Sequence, residues 1–162
     1  MLPMAPVGGV APGASLSAVS GAGPKSVALI LARELAANLA TPMFLMDDVG
    51  TLVYYNDAAE RLIGKPFAEL GEIASSDFGA VLRLSEPDGT PLRRRDTPAG
   101  VAFFQHRATH RELLATGYDG VRRHVQVTAY PLFGAANEMH GVVNVFWEGE
   151  ALEGDAPEDE DP

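Results

Sequence analysis

No cysteine occurs among the 162 residues. Disulfides are thereby excluded, as are thiolate metal sites and any cysteine nucleophile. Long apolar runs are missing too, with nothing near the ~20 consecutive residues that cross a bilayer, so membrane insertion is not expected. Base is scarce: 12 lysines and arginines stand against 22 acids, for a net charge of -10. Eight of those acids fall in residues 148–162, EGEALEGDAPEDEDP, leaving 14 acids against 12 bases elsewhere. A nearly neutral body offers phosphate no basic face, so no nucleic-acid partner is expected. Neither a glycine-rich phosphate loop, nor a serine elbow, nor a clustered histidine–carboxylate set is present, and the chain reads as a non-enzyme.

What is there suggests one domain between two tails. Residues 1–24 carry no charge and are full of Gly, Pro, Ala and Ser. They lack the basic start and unbroken apolar core of a secretory signal, and read as a disordered arm or as sequence upstream of the true start. The acidic residues 149–162 repel one another and read as a disordered tail that aids solubility. Absent cysteines and absent signal fit a cytoplasmic protein. Residues 26–40, SVALILARELAANLA, have helical propensity, with Val27, Leu31, Leu35 and Leu39 recurring every four residues until Pro42 forbids continuation.

The stretch 43–64, MFLMDDVGTLVYYNDAAERLIG, is the most informative. An apolar strand runs into the turn residues Asp47, Asp48, Val49 and Gly50, and a β-branched and aromatic strand follows. Asn56 or Asp57 can cap a helix, with Glu60 in capping-box spacing to Asp57, and Gly64 ends it where a left-handed residue is wanted. Downstream, 67–70 and 78–84 suggest short helical turns, and 86–89 is a turn. Thr97 and Pro98 open a helix over 99–107 that presents Val101, Phe104 and Phe103 inward. Arg93, Arg94 and Arg95 just before it read as a solvated triplet, or as a site for an anion. Three strands follow, over 111–117, 121–133 and 141–148, the first two joined by a two-residue hairpin signal at Asp119-Gly120. Val125, Val127 and Ala129 share one face of the middle strand; His124, Gln126 and Thr128 share the other.

Asp47, Gly50, Asn56, Ala58 and Gly64, in that order between apolar strands and an apolar helix, resemble the opening of a PAS domain. The resemblance covers roughly residues 41–148, with 25–40 as a flanking amphipathic helix. It implies an α+β fold in which a five-stranded antiparallel sheet cups short helices over a pocket. It implies a role in signal transduction, as a small-molecule sensor or a protein–protein interaction module. The flavin- and chromophore-binding relatives that form cysteine adducts are excluded by composition.

Carried onto this chain, the pocket wall comprises Phe44, Met46, Phe104, Val125, Val127, Asn144 and Phe146, and a small apolar ligand is the expected occupant if the space is not self-filled. No cofactor is required; a haem would take His106, which otherwise reads as a solvated residue at a helix end. The last strand is apolar on both faces and must be covered on both. Val143, Val145 and Trp147 fall on the outer face, under the 26–40 helix or under another subunit. With Leu31 and Leu35 they are the candidate interface toward a homodimer or another signalling protein. Where the family ends in an Asp-Ile-Thr-like motif leading to an output helix, this chain has Trp147, Glu148, Gly149 and Glu150. The glycine and the acids disfavour helix continuation, so signalling is expected to pass to a separate chain.

Overall fold

Residues 26–149 are described by a computed structural model; the arm 1–24 and the tail from 150 onward lie outside the described residues. Helix α1 (Val27–Ala37) precedes strand β1 (Met43–Asp47), and β2 (Leu52–Tyr55) follows. Three short helices come next, α2 (Asp57–Ile63), α3 (Phe67–Leu70) and α4 (Phe78–Val81), before β3 (Arg83–Ser85). A 3-10 turn over Arg94–Asp96 leads into α5 (Pro98–Gln105) and then β4 (Thr109–Thr116), β5 (Arg122–Phe133) and β6 (Met139–Glu148). The strands form one sheet in the order β2-β1-β6-β5-β4-β3, and each pairing is antiparallel.

The expected five strands are therefore six. The added strand is β3, which overlaps the end of the helical turn expected over 78–84. Helix α4 stops at Val81 because Leu82 is already extended, at φ -139° and ψ 111°. The turn at 86–89 then folds the chain back, with Gly89 N–H donating to Glu86 O at 2.8 Å and Leu92 N–H to Leu84 O at 3.1 Å. The hairpin between β4 and β5 also departs from expectation. Thr116 pairs with Arg122, so residues 117–121 form a five-residue connection rather than a two-residue turn. Gly117 lies against α2 so closely that a Cβ would stand 2.2 Å from Leu62 O, and Tyr118 N–H donates to Ile63 O at 2.8 Å. The hairpin tip is thus tied down by α2, at the cost of extra residues in the loop.

The sheet's inner face carries the main core. Phe44, Leu52 and Tyr55 from β1 and β2 meet Leu62 and Ile63 of α2, Leu113 and Ala115 of β4, Val125 and Val127 of β5, and Phe146 of β6. Its outer face is covered by α1, where Ala36 packs among Met43, Leu45, Val53, Val143 and Val145, with Ala32 at the margin. Each large apolar side chain so buried contributes about 1.5–3 kcal/mol relative to exposure. Ala36 is fully buried, and its small side chain lets the helix lie close on the strands.

Consequently α1 covers the sheet with its small residues and turns its apolar stripe outward. Val27, Leu31, Leu35 and Leu39 are all exposed, whereas Leu29 and Ala36 are buried. The Arg33 guanidinium lies 4.8 Å from the Tyr54 ring centroid and closes the edge. Ser26 caps the helix, its Oγ accepting from Leu29 N–H at 3.2 Å.

Candidate functional site

Asn56, the key residue of the opening motif, is 1% exposed. Its Oδ1 accepts from Ala59 N–H at 3.1 Å, which caps α2, and from Met43 N–H at 3.0 Å. Its Nδ2 donates to the carbonyls of Ala36 at 2.9 Å, Leu39 at 3.3 Å and Thr41 at 2.8 Å. One amide thus joins the end of α1, the start of β1 and the start of α2. The capping-box alternative on Asp57 is not used, since Glu60 Oε1 accepts instead from Phe67 N–H at 3.2 Å. Asp47 shapes the β1–β2 turn by accepting from Val49 and Thr51 N–H at 3.0 and 2.9 Å. Gly50 there has φ +85°, a left-handed position that a side chain would strain.

These devices hold β1 beside β6 and leave a cavity of about 660 Å3 between the inner face of the sheet, the loop after α3, α4 and α5. Its deep wall is β1, β5 and β6, through Phe44, Met46, Val127, Asn144 and Phe146. The Phe44 ring stands 4.7 Å from that of Phe146 and 6.2 Å, edge to face, from that of Phe78. Asn144 sits mid-sheet, opposite Phe44 on one side and Ala129 on the other. It is 3% exposed, and its Oδ1 is buried without a hydrogen-bond donor. Buried polar atoms are almost always paired, and leaving one unpaired costs about 1–3 kcal/mol.

Helix α5 makes the opposite wall. Thr97 Oγ1 accepts from Gly100 N–H at 3.0 Å, and Pro98 occupies the first turn. The helix buries Pro98, Gly100 and Ala102, with Phe103 partly buried against Ala129 and Val142. This corrects the expectation that Val101 turns inward, since it lines no part of the cavity; Phe103 and Phe104 do line it. Gly100 sets the pose, because a Cβ there would stand 2.0 Å from Arg94 O; helix and preceding turn touch backbone to backbone. Phe104 is 41% exposed and lines the cavity at its mouth, with the Arg95 and Arg94 guanidinium carbons 4.8 and 5.7 Å from its ring centroid.

Of the seven residues expected on the wall, six line the cavity: Phe44, Met46, Phe104, Val127, Asn144 and Phe146. Val125 does not. It pairs with Leu113 and is sealed into the core. Sequence reasoning missed Arg83 and Arg122, and weighed Arg94 only within a triplet read as solvated or as an anion site; all three line the cavity. The arginine triplet was the one available signal; nothing in the spacing says that only its middle member turns in. The expected interface residues divide. Val143 and Val145 are buried under α1, whereas Leu31, Leu35 and Trp147 are 63%, 58% and 45% exposed.

His106 ends α5 in the left-handed region at φ 54°, is exposed, and rests 6.0 Å from the Phe133 ring. No histidine lines the cavity, so the arrangement does not fit a haem held there by His106. Among the described residues no cluster of three or more His, Cys, Asp or Glu could hold a metal ion, and no helix is long and apolar enough to cross a membrane.

A family model for the PAS fold matches residues 37–151, and the chain belongs to the PAS family. Among solved structures, it is similar to the PAS domain of the fruit-fly ELK potassium channel, at 13% identity and TM-score 0.58, covering 74% of this chain and 95% of that one. A PAS domain from Colwellia psychrerythraea gives 16% identity and TM-score 0.54, with 74% and 95% covered. The light-state dimer of the fungal blue-light photoreceptor Vivid gives 17% identity and TM-score 0.52, with 83% and 99% covered. Identities this low speak for the fold alone. No curated protein matches the chain. PAS domains are sensory and interaction modules in signalling, and this chain is one of them.

Proposed function

We propose that this protein is a non-catalytic, cytoplasmic sensor module that holds a small molecule between the sheet and α5 and passes its occupancy to a separate signalling chain. One observation carries the reading: a cavity of about 660 Å3 whose deep wall holds a buried amide with an unsatisfied oxygen. A self-packed core would have no such space, and sites for small molecules fall in this size range with a few polar groups on an apolar wall. Native mass spectrometry of the full chain, gently ionised, tests it. A retained small-molecule mass in the wild type that is absent from Val127→Trp supports a ligand site. A clean polypeptide mass, with no ligand recovered from extracts at saturating concentration, would falsify it.

A second reading, a homodimerising interaction module, is favoured by the outside of α1. Val27, Ile30, Leu31 and Leu35 form an exposed apolar stripe there, at the i, i+3, i+4 spacing of one helix face. The match to a structure described as a dimer is a property of that photoreceptor; here the support is the stripe itself. Leu31→Glu combined with Leu35→Glu should lower the sedimentation mass from dimer to monomer while leaving the fold intact. An unchanged mass counts against pairing through α1.

A further inference from the structure

We infer that the cavity takes a small aromatic carboxylic acid bearing a hydrogen-bond donor on its ring system; this rests on reading the cavity as a ligand site. The first observation is charge. The wall includes Arg83, Arg94 and Arg122 and not one aspartate, glutamate or lysine, although acids slightly outnumber bases even outside residues 148–162. None of the three belongs to the ion pairs Lys65–Glu69, Arg93–Asp96, Arg111–Glu86 and Arg123–Asp119. Three exposed guanidiniums on one wall, with no acid beside them there, favour an anionic occupant over a neutral or cationic one. Arg94 is also held in place, its Nη1 donating to Ser75 Oγ at 2.9 Å. Among the described residues the rest of its planar fork makes no other hydrogen bond, and a guanidinium grips a carboxylate through two parallel bonds.

The second observation is the amide at the other end. Asn144 lines the cavity, but its Oδ1 is buried with no donor and no surface open to the cavity; turning the amide over about χ2 presents this oxygen to a ligand N–H or O–H and gives it a partner that no described residue supplies. Between amide and rim the wall is apolar and aromatic. Phe44, Phe78 and Phe146 set their rings at tilted and edge-on angles, which suits a flat ring offering edge and face contacts. A fatty acid brings neither the ring nor the donor. A neutral hydrophobe leaves the arginines unused, and a polyphosphate has no use for the deep apolar wall.

Indole-3-acetate carries all three features; naphthalene-1-acetate lacks the donor, and indole-3-acetamide lacks the charge. Calorimetric titration of the full chain with each, at low salt, separates the contributions. Indole-3-acetate should bind about tenfold tighter than the amide and about fivefold tighter than naphthalene-1-acetate. Arg94→Gln and Arg122→Gln should each weaken indole-3-acetate about three- to fivefold, as expected for partly solvated charge pairs, and leave indole-3-acetamide unchanged. Arg93→Gln, outside the wall, is the control and should change neither. Equal affinity for acid and amide, or indifference to both arginine substitutions, overturns the inference while leaving a ligand site in place. Failure of all three probes, beside a native spectrum that retains another mass, overturns the acid assignment only. The same failure with no retained mass at all removes the ligand site as well.

Discussion

The described residues bury two polar side chains, both asparagines, and they are opposites. Asn56 is surrounded by partners: two amides donate to its oxygen and three carbonyls accept from its nitrogen. Asn144 lies one strand away, in β6 beside β1, and its oxygen has no donor. Burying an amide is costly in both places. At Asn56 the cost is offset within the chain, so the residue specifies how α1, β1 and α2 meet. At Asn144 no described residue donates to Oδ1 to offset it, so the residue is a poor device for folding and a good one for recognition. A saturated buried amide marks structure; an unsatisfied one beside a cavity marks a site.

The sharpest way to break this contrast is to remove Asn56. Asn56→Ala deletes the α2 cap, leaves Met43 N–H without its buried acceptor and removes a donor from the half-buried Thr41 carbonyl. The expected loss is about 3 kcal/mol of unfolding free energy, read as a drop in urea midpoint with unchanged slope. A loss below about 1 kcal/mol would mean that water replaces the amide and that Asn56 is no keystone. Asn56→Asp sharpens the point. It keeps an acceptor for Ala59 N–H but turns a carboxylate toward three carbonyls, so it should be no better than alanine.

Asn56 was legible in the sequence as a helix cap, because cap, apolar helix and terminal glycine follow one another locally. Its three bonds to the α1–β1 segment were not, since they span 15 to 20 residues and leave no trace in spacing. The same limit explains the other departures. Periodicity located α1 but did not say which side meets the sheet, because alanines that pack closely on a sheet carry less hydrophobic signal than the leucines left outside. Leu84 was read as helix because strand β3 is only three residues long and acquires its identity from pairing with β4. The apolar wall could be carried over by resemblance. Its arginines could not, because an exposed guanidinium at the first residue of a strand (Arg83, Arg122) or in a 3-10 turn (Arg94) has no sequence pattern that says which way it points.

A smaller effect tests the hydrogen bonding that fixes the saturated corner. Tyr55 is buried, its hydroxyl donates to Lys65 O at 2.8 Å, and burial, aided by the charge of Glu60, pushes its pKa up to about 12. A raised folded value means that the neutral phenol's contribution is complete below the unfolded value near 10 and is lost as pH rises from there toward 12. Tyr55→Phe should cost about 1 kcal/mol at neutral pH and flatten the decline in stability above pH ~10. An alkaline limb as steep in the variant as in the wild type would assign that decline to other groups.

The smallest effect is the most telling, because its direction is the reverse of the Asn56 result. Asn144→Leu replaces an amide by an apolar side chain of similar volume in a wall already built from Phe44, Phe146 and Val127. It removes an acceptor that nothing satisfies, so the empty protein should be unchanged or up to about 1 kcal/mol more stable, seen as an equal or higher thermal midpoint. The same substitution should lose any ligand that donates to Oδ1. Destabilisation on the scale of Asn56→Ala would show that Asn144 is tied into the fold after all, and the contrast between the two asparagines would fail. Gain of stability with loss of binding is the signature expected of a residue kept for what it recognises.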